Sequence, residues 1–143
     1  MLKKIPRILS PQLVYILMEM GHGDEIVLAD ANFPAASLAK RLVRADGLRI
    51  QELLEAILPF FPLDSFVSHP AVLMQVVAGH NDEPVTWPIY LETVQRYEPD
   101  FNGFEAIERF AFYERAERAY AIVATGQTAL YSNIIIKKGV VVD

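Results

Sequence analysis

Uninterrupted apolar runs are the sequence feature that most strongly limits the possible fold class of this chain. They lie within three segments predicted as strands, at residues 25–29, 120–124 and 133–142, the last of which contains the run Ile134-Ile135-Ile136. A strand without polar alternation is covered on both faces, as happens when helices pack on each side of a sheet. We therefore expect a three-layer α/β/α fold, in which two layers of helices cover a mixed and largely buried sheet.

Helical periodicity and helix-end signals place helices between these strands. Ser10 precedes Pro11 in a pattern typical of a helix start, and Gly21 follows the last turn of the same apolar stripe. The other predicted elements are strands at 41–44 and 66–77, helices at 50–58, 86–97 and 108–119, and a polar loop at 81–84.

Length and composition limit the function classes. The 143 residues predict a single domain, 1–143, and the net charge of −5 argues against nucleic acid, because a polyanion requires a basic surface. No apolar stretch approaches the ~20 residues of a membrane span, and no signal-like run is present, so no membrane partner is expected. The absence of cysteine excludes a thiol nucleophile and fits the expected cytoplasmic location.

The segment Gly21-His22-Gly23-Asp24 carries the first candidate catalytic residue. Histidine exchanges protons near neutral pH, and glycines on both sides leave its ring open to a small ligand. His22 is therefore a candidate proton donor and acceptor. The alternative is a histidine that only interacts with the last carbonyl groups of the preceding helix.

Three further positions are candidates for ligand contacts. Asp30 ends an apolar strand, where ligand groups collect in α/β folds, although such a residue is often only a turn or cap. Arg109 begins a helix with three aromatic residues, a pattern that is also typical of a core-facing stripe. Tyr131-Ser132-Asn133 offers donors, acceptors and a stacking face for a polyol, or is simply a turn before a strand.

The separation of two candidates is a difficulty for a shared site. A fully extended chain from His22 to Asp30 would place their Cα atoms about 26 Å apart. They can contact one ligand only if the glycine turn folds back, the strand is short, or a second subunit intervenes.

Other common chemistries lack their motifs. No cysteine or paired histidines stand at metal-ligand spacing, no glycine-rich phosphate loop is present, and the Gly-x-Ser-x-Gly elbow of serine hydrolases is absent. His69 and His80 are interpreted as surface or turn residues. The sequence thus predicts no metal site.

Five ordered blocks together resemble the L-fucose mutarotase / D-ribose pyranase family, and specifically its fucose branch. The blocks are Gly21-His22-Gly23-Asp24, Asp30-Ala31-Asn32-Phe33-Pro34, Arg44-Ala45-Asp46-Gly47-Leu48, Arg109-Phe110-Ala111-Phe112-Tyr113-Glu114-Arg115-Ala116 and Tyr131-Ser132-Asn133-Ile134. The resemblance runs from the first helix to the last strand and weakens across residues 78–107.

The resemblance implies an isomerase that interconverts the α and β anomers of a monosaccharide, with L-fucose as the expected substrate. It implies His22 as the catalytic residue, with Asp30, Arg109, Tyr131, Ser132 and Asn133 binding the substrate. It also implies a homo-oligomeric, decameric ring and no cofactor. The alternatives are a D-ribose pyranase and a non-catalytic sugar-binding module. Asn32 departs from the family, whose fucose branch often carries histidine there.

Overall fold

A six-stranded sheet forms the middle layer of the protein. The computed structural model describes residues 1–80 and 82–143. The strands are β1 (Glu25–Ala29), β2 (Leu42–Ala45), β3 (Ala71–Met74), β4 (Glu105–Ile107), β5 (Ala121–Thr125) and β6 (Ile134–Lys137). Their order is β2-β5-β1-β6-β3-β4, and β6 is antiparallel to both of its neighbours while the other pairs are parallel. The mixed sheet predicted from the sequence is therefore confirmed.

Helices cover both faces of this sheet. They are α1 (Pro11–Glu19), α2 (Ala35–Leu38), α3 (Ile50–Ile57), α4 (Thr86–Tyr97) and α5 (Arg109–Arg118). The first, third and fourth helices pack with one core cluster, and α2 and α5 pack with the other. None of the helices within 1–80 and 82–143 is both long and apolar enough to cross a membrane.

The central strand β1 shows why its sequence has no polar alternation. Ile26 and Leu28 face the core beneath α1, α3 and α4, whereas Val27 and Ala29 face the core beneath α2 and α5. All four side chains are fully buried. Successive strand residues point to opposite faces, so a strand between two helical layers must be apolar at both. The expected three-layer α/β/α fold is confirmed.

Several element boundaries differ from the prediction. The strand predicted at 66–77 is regular only over Ala71–Met74, because the chain before it turns around Asp64, whose carboxylate accepts the Phe66 N–H. The strand predicted at 133–142 ends at Lys137. Strand β4 and helix α2 were not predicted, since three or four residues carry too little periodicity. Of the predicted loop at 81–84, residues 82–84 have no helix or strand, and Asn81 lies outside the described residues.

The candidate residues lie at the two ends of the strands. The side of the sheet at which the parallel strands end is called the carboxyl edge, and the side at which they begin is called the amino edge. Asp30 and Arg109 follow β1 and β4 at the carboxyl edge, and residues 131–133 reach the same edge because the antiparallel β6 begins beside the end of β1. His22 precedes β1 at the amino edge. The five residues of β1 span about 17 Å, so these two groups lie at opposite ends of the strand.

Candidate functional site

His22 lies in the turn between α1 and β1 and makes one strong polar contact. Its Nε2 atom is 3.1 Å from Oδ1 of Asp64, and 45% of the histidine side chain is exposed. The turn is held by Gly23, which has a φ of 88° and donates its N–H to the carbonyl of Lys138. His22 therefore has one ring nitrogen fixed by a carboxylate and a ring that remains accessible.

Asp64 was not among the residues singled out from the sequence. It is 42 residues from His22 in the sequence. It lies next to His22 because the backbone of Leu63 pairs with that of Lys138, just beyond the end of β6. No short motif encodes such a contact. The Leu-Asp-Ser turn gives only a weak signal, an aspartate whose carboxylate accepts the backbone N–H two residues later.

The ionisation state of Asp64 determines which ring nitrogen of the neutral His22 carries the proton. Burial by itself would raise the pKa of Asp64, but hydrogen bonds from Phe66 N–H and His22, with the positive charge of Lys137, hold that pKa below its ordinary value. The carboxylate is thus ionised at neutral pH and can only accept hydrogen bonds. Nε2 of His22 must then carry its proton toward Asp64, which leaves Nδ1 of the neutral ring as a base.

The surroundings of this pair offer both a stacking face and polar groups. The Phe66 ring is 75% exposed, and its centroid is 5.3 Å from that of His22. A cavity of about 280 Å³ opens beside Asp64. Its polar lining residues include Ser65, Ser68 and Glu98. Such a lining suits a small ligand with several hydroxyl groups.

Asp30 lies at the opposite, carboxyl edge of the sheet and is largely buried. Its backbone N–H donates to Oδ1 of Asn133 over 2.7 Å, and its carboxylate accepts the backbone N–H of Asn32. Burial raises the pKa of Asp30, although these backbone and amide contacts act in the opposite direction. Asp30 also lines a cavity of about 310 Å³ together with Phe33 and Thr125.

The segment 131–133 is built into the same edge. Ser132 and Asn133 are buried, and Ser132 Oγ lies 3.1 Å from Oγ1 of Thr86. The Asn133 carboxamide oxygen accepts the Asp30 N–H, and a hydrogen bond from the same side chain acts to lower the pKa of Asp30. The Tyr131 hydroxyl lies 2.9 Å from Nδ1 of His80, which the sequence predicted to be a surface or turn residue.

Arg109 is exposed at the start of α5. Its guanidinium carbon lies 4.7 Å from the ring centroid of Phe110 and 5.8 Å from that of Tyr113. Tyr113 packs edge-on against Phe33, whose backbone N–H donates to the carbonyl of Asp30. Arg109 is therefore connected to Asp30 through two aromatic rings rather than by direct contact.

The candidate residues thus form two groups within one chain. Asp30 contacts Asn133 directly, and Arg109 lies on the same edge, whereas His22 pairs with Asp64 at the other edge. Of the three possibilities raised for His22 and Asp30, neither the turn nor a short strand brings them together, because Gly23 pairs with Lys138 beyond the end of β6 whereas Asp30 pairs with Asn133 before its start. Within residues 1–80 and 82–143, no three His, Cys, Asp or Glu side chains are grouped in a way that could hold a metal ion.

The raised pKa of Asp30 gives a prediction for stability. A carboxyl group whose pKa is higher when folded stabilises the fold below its ordinary pKa of 3.8 and loses that contribution as the pH rises through the folded value. Asp30→Asn removes this titration and keeps an acceptor oxygen. We expect the melting temperature of Asp30→Asn, relative to the unsubstituted protein, to increase from about pH 4 to pH 7. A relative decrease over that range would contradict a pKa raised by burial.

Comparisons with known proteins agree with this architecture. Residues 3–141 match the RbsD / FucU transport protein family. The chain is 49% identical to the fucose mutarotase of Homo sapiens, with 97% of this chain and 94% of that protein covered. It is 54% identical to the fucose mutarotase of Streptococcus pneumoniae, solved in complex with L-fucose, with a TM-score of 0.95 over 99% of this chain and 100% of that one.

A more distant comparison shows the fold alone. The Bacillus subtilis RbsD structure, solved with D-ribose, is 20% identical and has a TM-score of 0.69 over 94% of this chain and 95% of that chain. The family-wide match and the full-length identities of about half confirm the resemblance found in the five sequence blocks. This chain belongs to the RbsD / FucU family.

Proposed function

We propose that this chain is an L-fucose mutarotase, an isomerase that interconverts the α and β anomers of the sugar. The observation that carries the proposal is its full-length similarity to a fucose mutarotase solved with L-fucose. The His22–Asp64 pair supplies the acid–base group that the reaction needs.

His22 moves one proton in this mechanism. Nδ1 of the neutral ring takes the proton of the anomeric hydroxyl, and the imidazolium that forms is stabilised by the Asp64 carboxylate. His22 gives the proton to the ring oxygen as the bond from that oxygen to the anomeric carbon breaks. The open aldehyde rotates about its first carbon–carbon bond, and reclosure on the other face reverses the proton transfers. No proton is gained or lost over the cycle.

The groups at the carboxyl edge would orient the sugar. The Asp30 carboxylate offers an acceptor for a sugar hydroxyl, and the buried Asn133 side chain fixes the backbone of Asp30. Arg109 and Tyr131 add a cation and an aromatic face at the same edge. Groups that fix a hydroxylated substrate in this way raise the rate by restricting its orientation.

We further propose that a complete site is shared between two copies of the chain. The amino-edge group of one copy would face the carboxyl-edge group of its neighbour, since a single copy separates His22 from Asp30 by the length of β1. Large apolar side chains are exposed at both places, with Phe66 (75%) beside His22 and Leu130 (64%) beside Tyr131. The decameric ring and the cytoplasmic location expected from the family resemblance are part of this proposal.

Mixing two inactive variants tests the shared site. If His22→Ala and Asp30→Ala chains are unfolded, combined and refolded together, about one quarter of the interfaces should contain two intact halves. We expect exchange activity to return to about that fraction of the unsubstituted level. His22→Ala combined with Asp64→Ala is the matched control and should show no gain over the two variants measured separately, because both changes affect the same half. Absence of recovery in the first mixture would place the whole site within one chain.

Asp64→Asn tests whether Asp64 sets which ring nitrogen of His22 carries the proton. An amide can donate to Nε2 and thereby favour the ring form that carries its proton on Nδ1, where the base is needed. We expect the exchange rate to fall about 10- to 100-fold with little change in fold. The rate is measured with the variant at the same concentration as the unsubstituted protein. A rate within twofold would remove Asp64 from the mechanism.

The reaction itself is tested by NMR of the anomeric protons. Catalytic amounts of protein should accelerate exchange between α- and β-L-fucose more than ring interconversion of D-ribose. Acceleration with D-ribose alone would instead indicate a pyranase. Binding of L-fucose without acceleration would indicate a non-catalytic sugar-binding module.

A further inference from the structure

Tyr131 has an unusual backbone conformation. Its φ is 56°, in the left-handed region that non-glycine residues rarely occupy. Such a conformation is energetically unfavourable and persists only where the surroundings hold it in place. Neighbouring residues must therefore make interactions that hold the segment 131–133 in this conformation.

The first turns of α4 supply them. The indole N–H of Trp87 donates to the carbonyl of Tyr131 over 2.9 Å, and the hydroxyl of Tyr90 donates to the carbonyl of Ser132 over 2.9 Å. Two consecutive carbonyl groups are thus each held by a side chain of the same helix. The hydroxyl contact between Thr86 and Ser132 adds a third link.

The helix is itself well anchored. Tyr90 is fully buried and, together with Val94, belongs to the core beneath α1, α3 and α4. Burial raises the pKa of Tyr90, so its hydroxyl remains a donor over the whole physiological range. A buried donor of fixed position is suited to hold this carbonyl, since a buried polar group left without a partner is destabilising.

We propose that Trp87 and Tyr90 are positioning residues for the sugar site. They hold residues 131–133 in the conformation that presents Tyr131 and Asn133 at the carboxyl edge. The link reaches Asp30, because the Asn133 oxygen that follows the held carbonyls accepts the Asp30 N–H. The inference rests on the proposed function, which assigns this edge to the sugar.

Two readouts separate positioning from simple loss of stability. The first needs no sugar: in Tyr90→Phe and in Trp87→Phe, hydrogen exchange of the Asp30 amide should become about tenfold faster, because its acceptor is no longer held. The amide of Val27, in the same strand, should be unchanged. The second readout is KM for L-fucose, which should rise about five- to tenfold while kcat changes less.

Tyr97→Phe is the matched control, since it removes a hydroxyl from the far end of the same helix. Both of its readouts should match the unsubstituted protein within twofold. Trp87 is the only tryptophan in the sequence, so its fluorescence in the Tyr90→Phe protein can also report L-fucose binding without turnover.

The outcomes distinguish this inference from the proposed function. Folded Tyr90→Phe and Trp87→Phe proteins with unchanged Asp30 amide exchange and unchanged KM would overturn the positioning role. If the unsubstituted protein does not accelerate anomer exchange, the proposed function is rejected, and with it the role of α4 in sugar binding. Faster Asp30 amide exchange in the variants would then still show that Trp87 and Tyr90 hold residues 131–133 in place.

Discussion

Replacing His22 by alanine is expected to lower the rate of L-fucose anomer exchange by about 10²- to 10⁴-fold, the usual contribution of a positioned acid–base group. The reason is that Nδ1 of His22 is the proposed site of the transferred proton, and the structure fixes the other nitrogen on Asp64. The rate is measured by NMR exchange of the anomeric protons. Because the side chain is half exposed, the melting temperature should change little.

His69→Ala is the matched control for this change. His69 also makes one hydrogen bond, from Nδ1 to the carbonyl of Gly103, but it lies outside both halves of the proposed site. Its removal should leave exchange within twofold. Added imidazole should restore part of the activity of His22→Ala, since the lost ring was accessible. If His22→Ala retained exchange within threefold, another residue would have to carry the proton.

Gly126→Ala is expected to lower the free energy of unfolding by about 3 kcal/mol, because there is no room for a methyl group. A Cβ atom at Gly126 would overlap the backbone carbonyl oxygen of Asp46, and backbone cannot move aside as a flexible side chain can. The Gly126 N–H also donates to the carbonyl of Leu48, which ties the loop after β5 to the loop after β2. Denaturant unfolding measures the loss.

The control for that substitution is one residue from the obstructing carbonyl. At Gly47 no atom beyond its two chain neighbours lies within 4 Å of the place that a methyl group would occupy, and the backbone needs no positive φ. Gly47→Ala should therefore change the free energy of unfolding by less than about 1 kcal/mol. Gly126 lines the Asp30 cavity, and weaker sugar binding should accompany the instability. Equal stability of the two variants would show that the loops adjust freely.

The strands in the middle of the sheet were the easiest part to predict. Residues of β1, β5 and β6 are buried on both faces, so their apolar runs report their environment directly. Strand β4 has only three residues, two of them exposed, and its place comes from pairing with β3. The predicted strand at 66–77 was too long, because apolar composition does not reveal that Asp64 turns the chain before Pro70.

The candidate site was predicted in part. The pairing of Asp30 with Asn133 joins residues 103 positions apart, and both had been singled out from the sequence. Asp64 had not, although it makes the only hydrogen bond of the His22 side chain found within residues 1–80 and 82–143. The roles of His22, Asp30, Arg109, Tyr131, Ser132 and Asn133 remain predictions, which the variants above test.

The layered α/β fold, the family and the candidate histidine could all be inferred from local sequence. These features depend on burial patterns and short motifs, which are written in consecutive residues. The antiparallel placement of β6 between β1 and β3 could not be inferred in this way, and it brings Asn133 to Asp30 at one edge and Asp64 to His22 at the other. Such contacts arise from pairing between distant segments, whose energy depends on the packing of the whole sheet rather than on any local propensity.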